Sequence, residues 1–247
     1  MRSWKQSTGR ELPSRSNPEK CSADILVRIL SRNRIKSENR KLYIPEFNRQ
    51  ENRSSTLAFM RANPFAILVS NADSVPFATH LPLLIEEQGD QVVVHGHMAK
   101  ANAHWKSMKE DEESLLIFHG PHAYISPSLY EIRESVPTWN YAAVHAYGEP
   151  TLFFDEENLN ATLHRMINTF EPAYMEQWSE FSGEYRSRMM KHIVGFNIKV
   201  KRLESKFKLS QNRTKLEQKQ VIQCLRESKD TNVSGVAELM RQEGLGR

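Results

Sequence analysis

The sequence predicts an α+β fold in which a β-barrel carries helices on its periphery. Three observations predict it. Short runs rich in β-branched and aromatic residues recur at close spacing between Phe65 and Leu203. Turn residues such as Asn71 to Ser74 and Gly89-Asp90 separate several of these runs. Long helical periodicity interrupts the strands only rarely, so the pattern points to a barrel and not to a doubly wound parallel sheet.

The elements follow in order. Leu57, Ala58 and Met60 to Ala62 predict a helix over about 52–62. It ends before Pro64, because the residue preceding proline resists the α region. Phe65 to Val69 reads as a buried strand, Asn71 to Ser74 as a turn, and Val75 to Ile85 as a second strand. After the Gly89-Asp90 turn, Gln91 to His95 is a third strand. Ala99 to Met108 reads as helical, Ser114 to His119 as a fourth strand, and Thr138 to Phe154 as one or two long strands. The acidic Asp155-Glu156-Glu157 run suits the positive end of a helix dipole. The helix that follows carries Leu159, Leu163, Met166, Ile167 and Phe170 at helical spacing. Ile193 to Leu203 is a further strand, and Thr214–Arg226 and Val233–Arg241 are closing helices.

Composition narrows the class. The 247 residues are 39% hydrophobic and 26% charged, an ordinary globular balance. The longest apolar runs, such as Leu115 to Phe118, fall far short of the roughly 20 residues that cross a bilayer. Two distant cysteines, Cys21 and Cys224, form no disulfide framework, and a cytoplasmic, reducing setting is expected. The net charge of +4 is unevenly distributed. Residues 1–41 hold 11 Lys/Arg against 4 Asp/Glu, which leaves 23 against 26 in residues 42–247. A basic-protein argument for DNA binding therefore concerns the leader, not the body. The leader is rich in Ser, Arg and Asn and cannot bury enough surface to offset its ordering entropy. It is expected to be disordered, or to precede a true start at Leu42. The expected division is 1–41 as this leader, 42–205 as the barrel, and 206–247 as a polar motif with closing helices.

Eight motifs stand in one order along the body. They are Tyr43-Ile44-Pro45-x-Phe47, Asn63-Pro64-Phe65-Ala66 and Ala78-Thr79-His80-Leu81-Pro82-Leu83-Leu84. Next come Gly96-His97-x-Ala99-Lys100-Ala101-Asn102-x-x-Trp105 and Phe118-x-Gly120-Pro121-His122-Ala123-Tyr124-Ile125-Ser126-Pro127. The last three are Val136-Pro137-Thr138-Trp139-Asn140-Tyr141-x-x-Val144-His145, Ile193-Val194-Gly195-Phe196 and Lys206-x-Lys208-Leu209-Ser210-Gln211-Asn212-Arg213. Each is weak alone; together, from Leu42 to Met240, they resemble the PaiB family, described as FMN-binding negative transcriptional regulators. That resemblance implies an FMN-binding split barrel, a homodimer, and FMN as cofactor. Two positions depart from the family pattern. Lys100 stands where the family has Arg, which keeps the charge and loses the bidentate fork. Leu42 stands where the family has its initiating Met.

FMN needs donors and positive charge for its phosphate, a flat apolar wall, and hydrogen bonds at the ring edge. The segment from Gly96 to Asn102 reads as a strand-to-helix turn, where free N–H groups would hold a phosphate. The resemblance implies Thr79, His80, Leu81, Pro82, His97, Ala99 and Lys100 as FMN contacts. Trp139 and Asn140 offer an aromatic wall with a polar handle, against a core or dimer-packing role. Lys206, Ser210, Gln211 and Arg213 form a polar cluster after a strand, which could reach a phosphate or ring edge from a partner subunit or simply line a surface loop.

Other chemistries lack their signatures. His95-x-His97 and His119-x-x-His122 invite a metal, but no Glu or Cys stands at ligand spacing, and no metal site is expected. Haem is a variant, since an axial His is what it usually needs. There is no Gly-x-Ser-x-Gly elbow and no phosphate-binding P-loop. The first functional reading is a flavin-binding transcriptional regulator. DNA contact, direct or indirect, would fall to the basic stretch from Lys199 through Arg213 to Lys215. The second is a flavin-dependent oxidoreductase or haem-binding split barrel acting on a small molecule, with His97, His122 and Tyr124 as proton-donor candidates and no evident catalytic residue. A third is a dimer whose flavin site is vestigial.

Overall fold

A computed structural model describes residues 41–247. The leader expected over 1–41 lies almost wholly outside the described residues. Asn52 starts the first helix by accepting the N–H of Ser55, and α1 runs from Arg53 to Ala62. Seven strands follow: β1 (Phe65–Ala72), β2 (Val75–Pro82), β3 (Leu84–Gln88), β4 (Gln91–Ala99), β5 (Ser114–Ile125), β6 (Thr138–Phe153) and β7 (Ile193–Lys208). Between β6 and β7 lie α2 (Glu156–Phe170), α3 (Tyr174–Glu180) and α4 (Gly183–Met190); α5 (Lys215–Arg226) and α6 (Thr231–Gln242) come last.

All seven strands join one antiparallel sheet in the order β2-β1-β5-β6-β7-β4-β3. Its two edge strands are consecutive in the chain, with only Leu83 between them. Six strand spacings laid flat would hold the edges roughly 29 Å apart. Two Cα steps reach at most about 7.6 Å. The sheet must therefore curl until β2 and β3 meet at Leu83, which makes an open, split barrel. The corner is pinned where the Leu83 N–H donates to the Pro64 carbonyl at 2.9 Å.

Alternation sorts the faces. Leu68, Leu116, Phe118, Val144, Phe196 and Ile198 point into the barrel and are fully buried. Each such side chain contributes about 1.5–3 kcal/mol relative to exposure. Outside, α2 packs on β3, β4 and β7 through Leu159, Thr162 and Met166. At the other end α6 packs on β5 with Val236, Ala237 and Met240 buried. Thr214 and Glu217 start α5 with a reciprocal capping box.

Several sequence expectations are corrected. The run from Val75 to Ile85 is not one strand; it breaks at Leu83 and serves both edges of the sheet. Ala99 to Met108 is not an α-helix. Ala99 still pairs with Ile193, Lys100 N–H donates to His192, and Asn102 caps only a short 3₁₀ turn, Ala103–Ser107. The last strand runs on to Lys208, so Lys206 and Lys208 lie in β7 and not after it. The helices α3 and α4 carry no long apolar period, and the sequence pattern did not reveal them.

Candidate functional site

Thr79 faces inward near the end of β2, opposite the buried Leu68. Two side chains converge on its hydroxyl: Asn102 Nδ2 donates at 3.2 Å, and His104 Nδ1 lies at 2.7 Å. His104 is fully buried, stacks on Phe77 at 4.6 Å, and leaves Nε2 without a partner among the described residues. An orphaned N–H costs more than an orphaned lone pair, so the proton belongs on Nδ1, which donates to Thr79. Thr79 then accepts twice and keeps its own O–H free to donate. Burial holds the His104 imidazole below its ordinary pKa. Asn102 also accepts the backbone N–H of His104 and so fixes the turn that carries both.

Ala99 ends β4 and Lys100 begins the turn beyond it, both exposed. The Lys100 ammonium lies 5.9 Å from the Phe154 ring and has no carboxylate within 4 Å among the described residues. The helix-start argument for phosphate binding fails here, because only a 3₁₀ turn follows. What remains is an unpaired cation on the turn whose Asn102 and His104 fix the Thr79 hydroxyl. His97 does not share that surface. It is half-buried under α2, 3.1 Å from Met166 Sδ, and burial lowers its pKa. His80 is exposed on the outer face against Phe65; Leu81 is buried, and half-buried Pro82 closes β2.

The remaining predicted residues gather elsewhere. Trp139 is 52% exposed and packs edge-on to Tyr124 at 6.0 Å, with His122 at 6.1 Å. Asn140 is fully buried and donates to Ser210 Oγ at 2.9 Å. Ser210 has a left-handed backbone, φ 64°, and Gln211 braces the turn by accepting the Leu209 N–H and donating to Phe207. The polar groups of Asn140, Ser210 and Gln211 are thus engaged within the chain. Arg213 stacks on Tyr130 at 3.7 Å. Lys206 donates to the Tyr43 carbonyl and lies 5.6 Å from the Tyr141 ring. Neighbouring Lys208 is held below the usual lysine pKa, first by burial and then by Lys206.

These two groups occupy opposite ends of the β6–β7 ladder. The rung Phe153↔Gly195 lies beside the Lys100 end, and Tyr141↔Lys208 marks the other. About twelve residues separate the rungs, roughly 40 Å of strand length. Between them spreads an outer face that no helix among the described residues covers at its centre. His80, Ile67, Ile117, His145 and Glu204 share one row, and Ala78, Val69, Leu115, Tyr147 and Arg202 the next. The apolar members Ile67, Val69, Leu115 and Ile117 are only half-buried. Arg202 lies 3.6 Å above the Tyr147 ring and pairs with Glu204, while burial lowers the pKa of His145 and raises that of Tyr147. Two sizeable cavities, near 900 and 450 Å³, are lined by none of the predicted site residues.

Sequence reasoning missed His104, because the segment read as a helix and a lone histidine there reads as surface.

Comparison with known proteins agrees with this architecture. The model of a family described as "Putative FMN-binding domain" matches residues 42–202. The chain is 36% identical over 204 residues to the Protease synthase and sporulation protein PAI 2 of Bacillus subtilis, covering 82% of this chain and 98% of that protein. An uncharacterized protein of Aspergillus fumigatus is 28% identical, with coverage of 75% and 91%. Among solved structures, the flavocytochrome Anf3 from Azotobacter vinelandii superposes with a TM-score of 0.52 at 17% identity, covering 67% of this chain and 72% of that one. An FAD and heme binding protein from Mycobacterium smegmatis gives 0.50 at 11% identity, with 65% and 73% covered. The chain belongs to the PaiB-type family of FMN-binding split-barrel proteins.

Proposed function

We propose that the protein is a homodimeric, cytoplasmic FMN-binding regulator, with Lys100 and Thr79 as the phosphate contacts. The observation that carries the reading is the Thr79 hydroxyl, its own proton free, fixed by Asn102 and His104 on a turn that also carries the unpaired Lys100 ammonium. A phosphate accepts hydrogen bonds and carries negative charge, so this donor set fits it. On the same strand His80 lies on the uncovered outer face, while Leu81 is buried and Pro82 ends β2. Bound FMN would supply hydride or single-electron transfer. The chain's part is to hold and orient it, and to keep water from it once the face is covered.

A second protomer is the natural cover. A half-buried apolar face is what a twofold interface requires. It would also let Trp139, Lys206 and Arg213 of one protomer, with Asn140, Ser210 and Gln211 bracing the turn behind them, approach the Lys100 end of the other, which a single chain keeps roughly 40 Å of strand away. Among the described residues, no helix is long and apolar enough to cross a membrane, and Cys224 is free and exposed. A DNA-contacting role is weakened in the basic stretch, because Lys201 pairs with Glu149 and Arg202 with Glu204.

A flavin-dependent oxidoreductase is the second reading. It is favoured by His145, Tyr147, Arg202 and Glu204, four ionisable groups sharing the open face. Absorbance and mass spectra of the purified protein test both. A yellow dimer releasing FMN supports them; a colourless monomer that takes up no added FMN rejects them. Rapid bleaching by NAD(P)H selects the enzyme, and salt-sensitive promoter retention selects the regulator.

A further inference from the structure

A cavity of about 450 Å³ opens where β3 and β4 meet the C-terminal half of α2. Its volume falls within the roughly 300–1,000 Å³ of small-molecule sites, and so does its make-up of apolar walls with few polar groups. Leu83, Leu84, Ile85 and Phe170 supply the apolar walls. None of the flavin candidates contributes to it.

The polar part is built from the floor upward. His95 is 2% exposed. Its Nε2 lies 2.7 Å from Glu86 Oε2, and Nδ1 lies 2.6 Å from Asn197 Oδ1. A carboxylate only accepts, so His95 donates through Nε2 and fixes the orientation of Glu86. Glu86 lines the cavity, and its Oε1 has no hydrogen-bond partner among the described residues. Arg165 lies 4.0 Å from Glu86, too long for a hydrogen-bonded ion pair, and its Nη1 lies 3.3 Å from His95 Nδ1, which leaves the other N–H groups of the guanidinium without a partner among the described residues. Arg61, by contrast, is taken by Glu87 at 2.7 Å. The cavity therefore presents one cation held at a single nitrogen and one oriented anion side by side, above an apolar pocket.

We propose that this cavity binds a hydrophobic α-amino acid, its carboxylate on Arg165, its ammonium on Glu86 and its side chain against Leu83, Leu84, Ile85 and Phe170. In an α-amino acid both charges branch from one carbon, so adjacent opposite charges on the protein match them. A guanidinium offers a carboxylate two parallel donors. The apolar walls select against polar side chains.

The test uses the full-length protein and ligand-observed NMR or calorimetric titration with L-leucine and L-phenylalanine. Phenylpropionate lacks the ammonium and phenethylamine the carboxylate. Saturable binding of an amino acid, at least tenfold tighter than either analogue, is expected. Arg165→Met and Glu86→Gln each remove one charge from a half-exposed position and should weaken binding at least tenfold. Leu84→Trp keeps both charges, fills the pocket, and should abolish binding. FMN uptake should stay unchanged in all three. The proposal is overturned if neither amino acid binds saturably, if phenylpropionate binds as well, or if all three variants bind like wild type. Displacement of the amino acid by FMN would also overturn it, since the cavity would then be part of the flavin site.

Discussion

Replacing Lys100 with alanine isolates the phosphate contact from the rest of the flavin site. The ammonium is exposed, has no carboxylate within 4 Å among the described residues, and lies 5.9 Å from the Phe154 ring. Its backbone N–H, which donates to His192 at 2.7 Å, survives the substitution. Folding should lose no more than the exposed cation–π contact, about 0.5–1 kcal/mol. Binding should lose a charge-assisted hydrogen bond, about 1.5–3 kcal/mol. That is roughly a 10- to 150-fold rise in the FMN dissociation constant at tenfold per 1.4 kcal/mol. Riboflavin carries the same ring without the phosphate, so its affinity should not change. Flavin fluorescence titration of wild type and Lys100→Ala with both ligands measures the coupling directly. Lys100→Arg should bind FMN at least as tightly as wild type, because the guanidinium adds a fork. If the variant loses FMN and riboflavin affinity equally, or loses neither while remaining folded, Lys100 is not the phosphate ligand and the site must be moved.

Three further outcomes are expected. A Cβ on Gly148 would lie 2.2 Å from the Lys199 carbonyl, whereas one on Gly183 meets nothing within 4 Å. Gly148→Ala should therefore cost at least about 1–3 kcal/mol in urea denaturation, while Gly183→Ala, at a helix start, should be neutral or stabilising. The pKa values of His97, His104, His119 and His145 are lowered from 6.5, with burial the first cause in each. The unfolded chain then binds more protons below pH 6.5, so stability is full above that value and falls as pH drops toward the depressed folded values. His104→Gln should flatten this slope, by at most about 1.4 kcal/mol per pH unit, when unfolding is followed from pH 7.5 to 5. Ile117→Glu places a charge on the half-buried outer face and should yield a folded monomer in light scattering, with much weaker FMN uptake. A variant that stays dimeric, or a monomer with wild-type FMN affinity, would separate that face from the flavin site.

Legibility in the sequence followed the range of the interactions involved. The first helix was readable because Asn52 and Pro64 act on their immediate neighbours. The Asp73-Ser74 hairpin was readable for the same reason, although both residues take positive φ. The break at Leu83 was not readable. Val75 to Ile85 has the local character of one strand, and only the demand that the sheet close forces it to serve two edges. Likewise Ala99 to Met108 has helical composition, but pairing of Ala99 with Ile193 and the hydrogen bond from Lys100 to His192 hold the chain extended. Those partners lie more than ninety residues away in the sequence, beyond any local pattern.

The candidate site divides along the same line. Thr79 and Lys100 were found by motif, yet what makes Thr79 a free donor is His104, a residue that no local pattern marks. Trp139 and Lys206 were also found by motif, but the fold sets them at the far end of β6 and β7, opposite Lys100. A linear sequence contains both halves and does not express how far apart one chain holds them. If they do meet, mixing folded Lys100→Ala and Arg213→Ala proteins should restore part of the FMN affinity that each homodimer lacks, because one of the two interface sites in a heterodimer is intact. Failure of mixed dimers to exceed either parent, with subunit exchange verified by mass spectrometry, would show that each chain builds its site alone.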